Sequence, residues 1–351
     1  HSDKISHKLD LAAHEKPFSD TFWQWQTYRR EIYNMVKIFR TIDNNVHQIN
    51  EAQEGSWIAL IDPTATEIVE IAEKYDIDVD HLRAPLDEEE RSRIEVEDHY
   101  TLILVDIPMI EERNDKEWYG TIPMGIVVTD DKIFTVCLED TPVLSSFMDG
   151  RVRNFFTYMK TRFILQILYR NASLYLHYLR FIDKKSDEVE QKLHKSQRNQ
   201  ELIELLELQK SLVYFTTSLR SNEVVLEKLL KVENIKQYPE DTELLEDVII
   251  ENKQAIEMTN IYSGILSGTT EAFASIISNN LNIVMKLLAA ITIIINIPAL
   301  IASIWGMNVP LPFSENKYGF WIILGFSAAL SALIAYIMKK KKIGQTFKKN
   351  I

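Results

Sequence analysis

Two uninterrupted apolar stretches, Leu287 to Trp305 and Tyr318 to Met338, occupy the last quarter of the chain; they are 19 and 21 residues long and neither carries a charge. Each reaches the roughly 20 residues a helix needs to cross a bilayer. Their apolar character goes most of the way round the helix rather than along one stripe, which predicts membrane spans and not core helices. Upstream the pattern changes. Trp57 to Ile61, Tyr100 to Val105 and Gly125 to Val128 are short apolar runs near Asp, Pro or Gly and predict strands. Thr64 to Tyr75 has helical spacing, with Asp62-Pro63-Thr64 as its start signal. From Arg151 to Gln237 there is no Gly or Pro, and Leu202, Leu205, Leu212, Phe215, Leu219, Leu226 and Leu229 predict long helices forming a hairpin with charged outer faces. Tyr238-Pro239-Glu240-Asp241 interrupts them, and no further proline precedes Pro298. One helix over Thr242 to Trp305 would hold 64 residues and extend roughly 96 Å.

The expected organisation is a leader or appended segment at 1–34, with Met35 as a plausible native start, and an α/β domain at 35–141. A helical hairpin region at 142–238 precedes a stalk continuous with the first span at 239–305. The connecting loop is 306–317, the second span 318–338 and a basic tail 339–351. The fold class is thus an α+β membrane protein. The loop contains one Lys and one Glu, whereas the tail carries Lys339, Lys340, Lys341, Lys342, Lys348 and Lys349. By the positive-inside rule both termini are cytoplasmic.

Charge narrows the partners. With 39 Lys plus Arg against 51 Asp plus Glu, a net −12, the chain lacks the basic balance of a nucleic-acid binder. Cations are the more natural ligands. The single Cys137 forms no internal disulfide and reads as a buried strand cysteine. No Gly-rich phosphate loop and no nucleophile–base pair is recognisable, so an enzyme is not expected. The eight histidines are scattered, none of them in the first span.

Within the first span and its approach, Asn282, Met285, Ala289, Thr292, Asn296, Ala299 and Ser303 recur at three- and four-residue steps along one face. An amide at mid-span, Asn296, needs a partner or water, so this stripe faces either neighbouring protein or a water-filled pore. Pro298 would deprive the Ile294 carbonyl of its usual donor and bend the helix. Two spans enclose no conduit by themselves, so a pore requires several copies around an axis. Asn308 would then form a ring of amide oxygens suited to a hydrated hard cation such as Mg2+. Gly306 would permit a backbone turn closed to other residues.

Gly306-Met307-Asn308, placed between two carboxy-terminal spans after a long helix and an acidic α/β domain, resembles the CorA family of divalent-cation (magnesium) channels. The resemblance covers about Lys37 to Lys342. It implies a homopentameric funnel in the plasma or inner membrane that passes hydrated Mg2+ down its electrochemical gradient, gated by intracellular Mg2+, with no organic cofactor. It also implies that Gly306, Met307 and Asn308 form the selectivity filter, with Asn308 holding the ion. Pore-facing family positions fall on Asn282, Met285, Leu288, Asn296 and Ser303, and a ring of acid below the membrane on Glu271. Glu315 would attract cations at the outer loop.

The regulatory carboxylate pair maps onto Asp247 and a position near Ala84; Ala84 carries no charge, leaving Asp87 or Glu88 as substitutes. The residue before the motif is Trp305 where the family commonly has Tyr, and Asn296 takes a site often held by a bulky apolar gate residue. Transport of Co2+, Ni2+ or Zn2+, as in the zinc-handling branch of the superfamily, and a non-conducting membrane scaffold are the competing expectations.

Overall fold

The strand Trp57–Ile61 is apolar at all five positions, which requires both of its faces to be covered. The computed structural model describes residues 36–113, 116–196, 199–231, 238–307 and 317–340. Its strands are β1 (Val36–Ile42), β2 (Asn45–Ile49), β3 (Trp57–Ile61), β4 (Arg93–Val96), β5 (Tyr100–Arg113), β6 (Lys116–Thr129) and β7 (Ile133–Cys137). They form one seven-stranded sheet in the order β2-β1-β3-β7-β6-β5-β4. The central pair β3 and β7 is parallel, and the other neighbouring pairs are antiparallel.

Helices cover both sides of this sheet. The described helices of the chain are α1 (Ala65–Tyr75), α2 (Val79–Arg83), α3 (Pro142–Met148), α4 (Lys160–Ser196), α5 (Asn199–Leu229), α6 (Pro239–Trp305) and α7 (Gly319–Lys340). Because successive strand side chains point to opposite faces, Ile58 and Leu60 pack with Phe134 and Val136 beneath Ile68 of α1 and Leu82 of α2. Trp57 and Ala59 face the other way, into a core shared with Phe147 of α3, Phe163 of α4, Leu226 of α5 and Val248 of α6. Trp57 is the hub of that core. Its indole N–H donates to Thr135 Oγ1 at 2.9 Å, and its ring stacks on Phe39 at 5.0 Å and meets Phe163 edge-on at 5.0 Å. Cys137 ends β7 in the same core, where burial pushes its thiol up to about 12.

The start signal at Thr64 is a full capping box: the Thr64 hydroxyl accepts from the Glu67 N–H, and the Glu67 carboxylate accepts from the Thr64 N–H at 2.8 Å. The region expected to be a helical hairpin contains the short α3 and the two long helices α4 and α5. A further core joins Tyr175 and Leu179 of α4, Leu212 and Phe215 of α5, and Ala255 and Leu266 of α6. The segment Tyr238 to Asp241, read from sequence as an interruption, is where α6 begins. Pro239 sits in the first turn, where its missing N–H has no intrahelical partner to lose. Glu240 and Asp241 follow it there, beside the positive end of the helix dipole. From that start α6 continues for 67 residues, through Pro298, to Trp305.

The chain divides into two compact units, up to Ser267 and from Gly268 onward. Unit one holds the sheet, α1 to α5 and the first part of α6. Unit two holds the remainder of α6 and α7, and the apolar stretches of those two helices are long enough to cross a membrane.

Candidate functional site

In the second unit, α6 has two contrasting stripes. Ile283, Leu287, Ala290, Ile294, Ile297, Ile301 and Trp305 are buried or half-buried. Asn282, Met285, Leu288, Ala289, Thr292, Asn296, Ala299 and Ser303 are all exposed. The covered stripe is apolar; the exposed remainder carries the amides and hydroxyls on one face and apolar Leu281, Ile291, Ile295, Leu300 and Ile304 elsewhere. Helix α7 likewise covers one stripe, through Gly319, Ile323, Ser327, Leu330 and Ile334.

The polar stripe is not uniform in what it offers. Thr292 turns its hydroxyl back to donate to the Leu288 carbonyl at 2.8 Å. Asn296 sits in an open concavity formed with Ile293, Ile297, Ala299 and Leu300, all on α6.

The helix closes at the motif. Gly306 N–H donates to the Ala302 carbonyl at 2.9 Å, and Met307 N–H donates to the Ile304 carbonyl at 3.3 Å, a tightening of the last turn. Gly306 lies in the turn that ends the helix without entering the left-handed region. Its constraint is proximity: a Cβ there would lie 3.3 Å from the Ala302 carbonyl oxygen. Met307 is exposed. Asn308 and Glu315 lie outside the described residues, as do 1–35 and 341–351. Glu271 is exposed on α6 just past Gly268.

In the first unit, Asp247 is exposed on α6 between the buried Leu245 and Val248. Asp87 and Glu88 follow a 3-10 turn at Ala84–Leu86 that is pressed onto the sheet. That contact needs a glycine below it, since a Cβ on Gly125 of β6 would come within 2.2 Å of Pro85 Cγ. The two acids then diverge in role. Asp87 Oδ1 accepts from the Glu89 N–H at 3.1 Å, a local turn bond. Glu88 belongs to a patch with Glu111, Glu139 and Asp140. There burial, and then the charges of Glu111, Glu88 and Asp140, push the Glu139 carboxyl above its usual range. Glu111 and Glu139 were not singled out from sequence; the strand pairing and the β7-to-α3 connection assemble this patch.

Another group also escaped sequence reasoning. His81 of α2, Glu95 of β4 and Glu97 just beyond it bring their ligand atoms within 4.8 Å of one another. His81 Nε2 lies 3.0 Å from Glu95 Oε2. No spacing motif announces it, because α2 and β4 are joined by the 3-10 turn and the acidic run.

Residues 52–340 match the family model of the CorA-like Mg2+ transporter protein. The chain belongs to that family. Among CorA relatives, the cobalt/magnesium transport protein CorA of Methanocaldococcus jannaschii is 27% identical over 294 residues, covering 81% of this chain and 90% of that one. The CorA of Thermotoga maritima is 26% identical over 162 residues, 46% of this chain and 43% of its own. The complete structure of the CorA magnesium transporter from M. jannaschii superposes with a TM-score of 0.76 at 25% identity, covering 88% of this chain and 98% of that one. CorA-family membership, with two helices able to span a bilayer, makes this a membrane protein of a transporter family and not of an enzyme family.

Proposed function

We propose that the chain assembles as a homopentamer in the plasma membrane and conducts hydrated Mg2+ passively into the cytoplasm. The observation that carries this reading is that the amides and hydroxyls of Asn282, Thr292, Asn296 and Ser303 share one exposed face of α6, and none falls on its covered apolar stripe. A polar stripe in a span needs protein or water against it, and a ring of copies supplies a water-filled axis that two spans alone do not. Asn282, Asn296 and Ser303 then offer neutral oxygens to the hydration shell. Neutral groups suit an ion that gives up its water reluctantly and must be released again. Asn308, repeated around the ring, selects at the outer mouth, with Gly306 and Met307 shaping the turn. Glu315 gathers cations outside and Glu271 inside.

Both termini are cytoplasmic in this reading. A divalent ion moving down an inside-negative potential releases about 4.6 kcal/mol per 100 mV, so no organic cofactor is needed. Gating follows from acidic surfaces brought together by assembly. Asp247 is exposed and available to a neighbouring copy. Its partner is Asp87 or Glu88; the Asp87 carboxylate accepts from the Glu89 N–H through Oδ1 and keeps Oδ2 for a cation. Intracellular Mg2+ between copies screens the repulsion of these acidic surfaces and holds the assembly closed. Co2+ is a second cargo, favoured by the relatives' description as cobalt/magnesium transport proteins.

The test is Mg2+ and Co2+ uptake into proteoliposomes containing the full chain or its Asn308→Ala variant. Uptake that collapses in the variant supports the filter. Equal uptake in both would remove Asn308 from that role, and no uptake by an assembled wild-type oligomer would favour a scaffold.

A further inference from the structure

We propose that His81, Glu95 and Glu97 form a binding site for a first-row transition dication, separate from the Mg2+ pathway and selective against Mg2+. The three residues offer one imidazole nitrogen and two carboxylate oxygens, all within 4.8 Å of one another. That donor set suits Zn2+, Co2+ or Ni2+, whereas Mg2+ prefers oxygen ligands and keeps much of its water. Three protein ligands also leave a coordination position for water.

The groups behind the ligands fit as well. The Tyr100 hydroxyl lies 2.8 Å from His81 Nδ1 and fixes the ring with Nε2 turned to Glu95 Oε2 at 3.0 Å, a place where a bound cation would replace the proton the two atoms share. A ligating histidine is generally fixed in this way by a partner on its other nitrogen. The Tyr100 oxygen is itself held in place, accepting from the Asp78 N–H at 3.2 Å. Glu95 is prepared from the opposite side: Arg93 Nε donates to its Oε1, leaving Oε2 toward His81. The same Arg93 pairs with Glu90. Glu90, Glu95 and Glu97 set three carboxylates around the single guanidinium of Arg93, an acidic surrounding that complements a dication.

Access and position complete the argument. The His81 side chain is 16% exposed and that of Glu95 34%, so an ion can enter while the ligands stay packed. β4 is the edge strand of the sheet, and α2 lies at the other end of the segment carrying Asp87 to Glu90. A bound ion would therefore staple the two ends of the acidic run together.

The experiment is equilibrium dialysis of the full-length, detergent-solubilised protein against Zn2+ in a large excess of Mg2+, with the Glu97→Gln, His81→Ala and Tyr100→Phe variants alongside. The expected result is one Mg2+-resistant Zn2+ per wild-type chain, lost in Glu97→Gln and His81→Ala. Tyr100→Phe should weaken it about 10- to 100-fold, as loss of an outer partner does. Glu97 is exposed, so the metal-free thermal unfolding of Glu97→Gln should match wild type and separate lost binding from lost folding. Zn2+ should also slow proteolysis between Ala84 and Ser92 in wild type but not in Glu97→Gln. Absence of Mg2+-resistant Zn2+ from the wild type, or its retention in both ligand variants, would overturn the proposal.

Discussion

Asn222 of α5 brackets the backbone of Asp106 on β5: its Oδ1 accepts from the Asp106 N–H at 2.8 Å, and its Nδ2 donates to the Asp106 carbonyl at 2.8 Å. The edge strand β4 ends in register at Arg93 opposite Leu104, two residues short of Asp106. A helix side chain thus continues the sheet's hydrogen bonding where its last strand has stopped. The Asp106 carbonyl also accepts from Asn171 Nδ2 at 2.8 Å and from the Tyr175 hydroxyl at 3.2 Å, which ties α4 to the same point.

Removing that bracket should be costly. Asn222→Ala leaves the Asp106 N–H without its acceptor and deletes one of three donors to the carbonyl, for about 2–4 kcal/mol lost from the first unit. Thermal unfolding of the variant in detergent checks this, and an unchanged midpoint would contradict the bracketing role.

The Asp106 side chain gives a pH prediction. Burial pushes its carboxyl above the usual range, while hydrogen bonds from Ser218 and Ser92 draw it partly back. Between the unfolded carboxylate value, about 3.9, and the raised folded value, the native state binds more protons than the unfolded state. Stability contributed by this group therefore falls as pH rises through that window. Asp106→Asn should remove that part of the slope. Unfolding midpoints of the two proteins, followed upward from about pH 4, should diverge in slope and then run parallel.

Arg162 Nε donates to Asp241 Oδ1 at 2.9 Å, and the Asp241 side chain is only 6% exposed. Arg162→Met strands a buried carboxylate at the start of α6 and should cost about 3 kcal/mol or more. Changing both residues to apolar ones of similar size should recover much of that loss. If the double variant is as unstable as the single one, packing and not the stranded charge is responsible.

Gly125→Ala should displace the 3-10 turn, because the new Cβ falls on Pro85. A loss of about 1–3 kcal/mol is expected from overpacking. Faster protease cleavage near Asp87 to Glu90 would report the displaced turn directly.

The two stripes of α6 should respond differently to substitution. Asn296→Leu changes an exposed position and should leave expression and assembly intact while lowering Mg2+ uptake at least tenfold. Ala290→Phe changes a covered one and should impair folding of the span. Uptake in proteoliposomes and size-exclusion profiles distinguish the two effects. Normal uptake by Asn296→Leu would mean that this stripe does not line the ion path.

Where the physics is local, the sequence was sufficient. The spans depend on length and apolarity, the α1 cap on Thr64 and Glu67 three residues apart, and the two stripes of α6 on a 3.6-residue period. Family membership rested on Gly306-Met307-Asn308 in its setting, and residues 52–340 bear it out. The stalk bound at 239 coincides with the first residue of α6, because a proline that breaks the preceding helical run is also compatible with a first helical turn.

The sequence by itself determined the membrane helices, the mixed α/β character of the first unit and the polar face of the first span, because each follows from neighbours one to four residues apart. Only the tertiary structure decided that Glu88 joins Glu111 and Glu139, that His81 meets Glu95, and that Asn222 brackets Asp106. Those contacts depend on strand register, on the turn that Gly125 allows Pro85 to make, and on where α5 crosses the sheet edge. No single segment of the sequence contains both sides of such a contact.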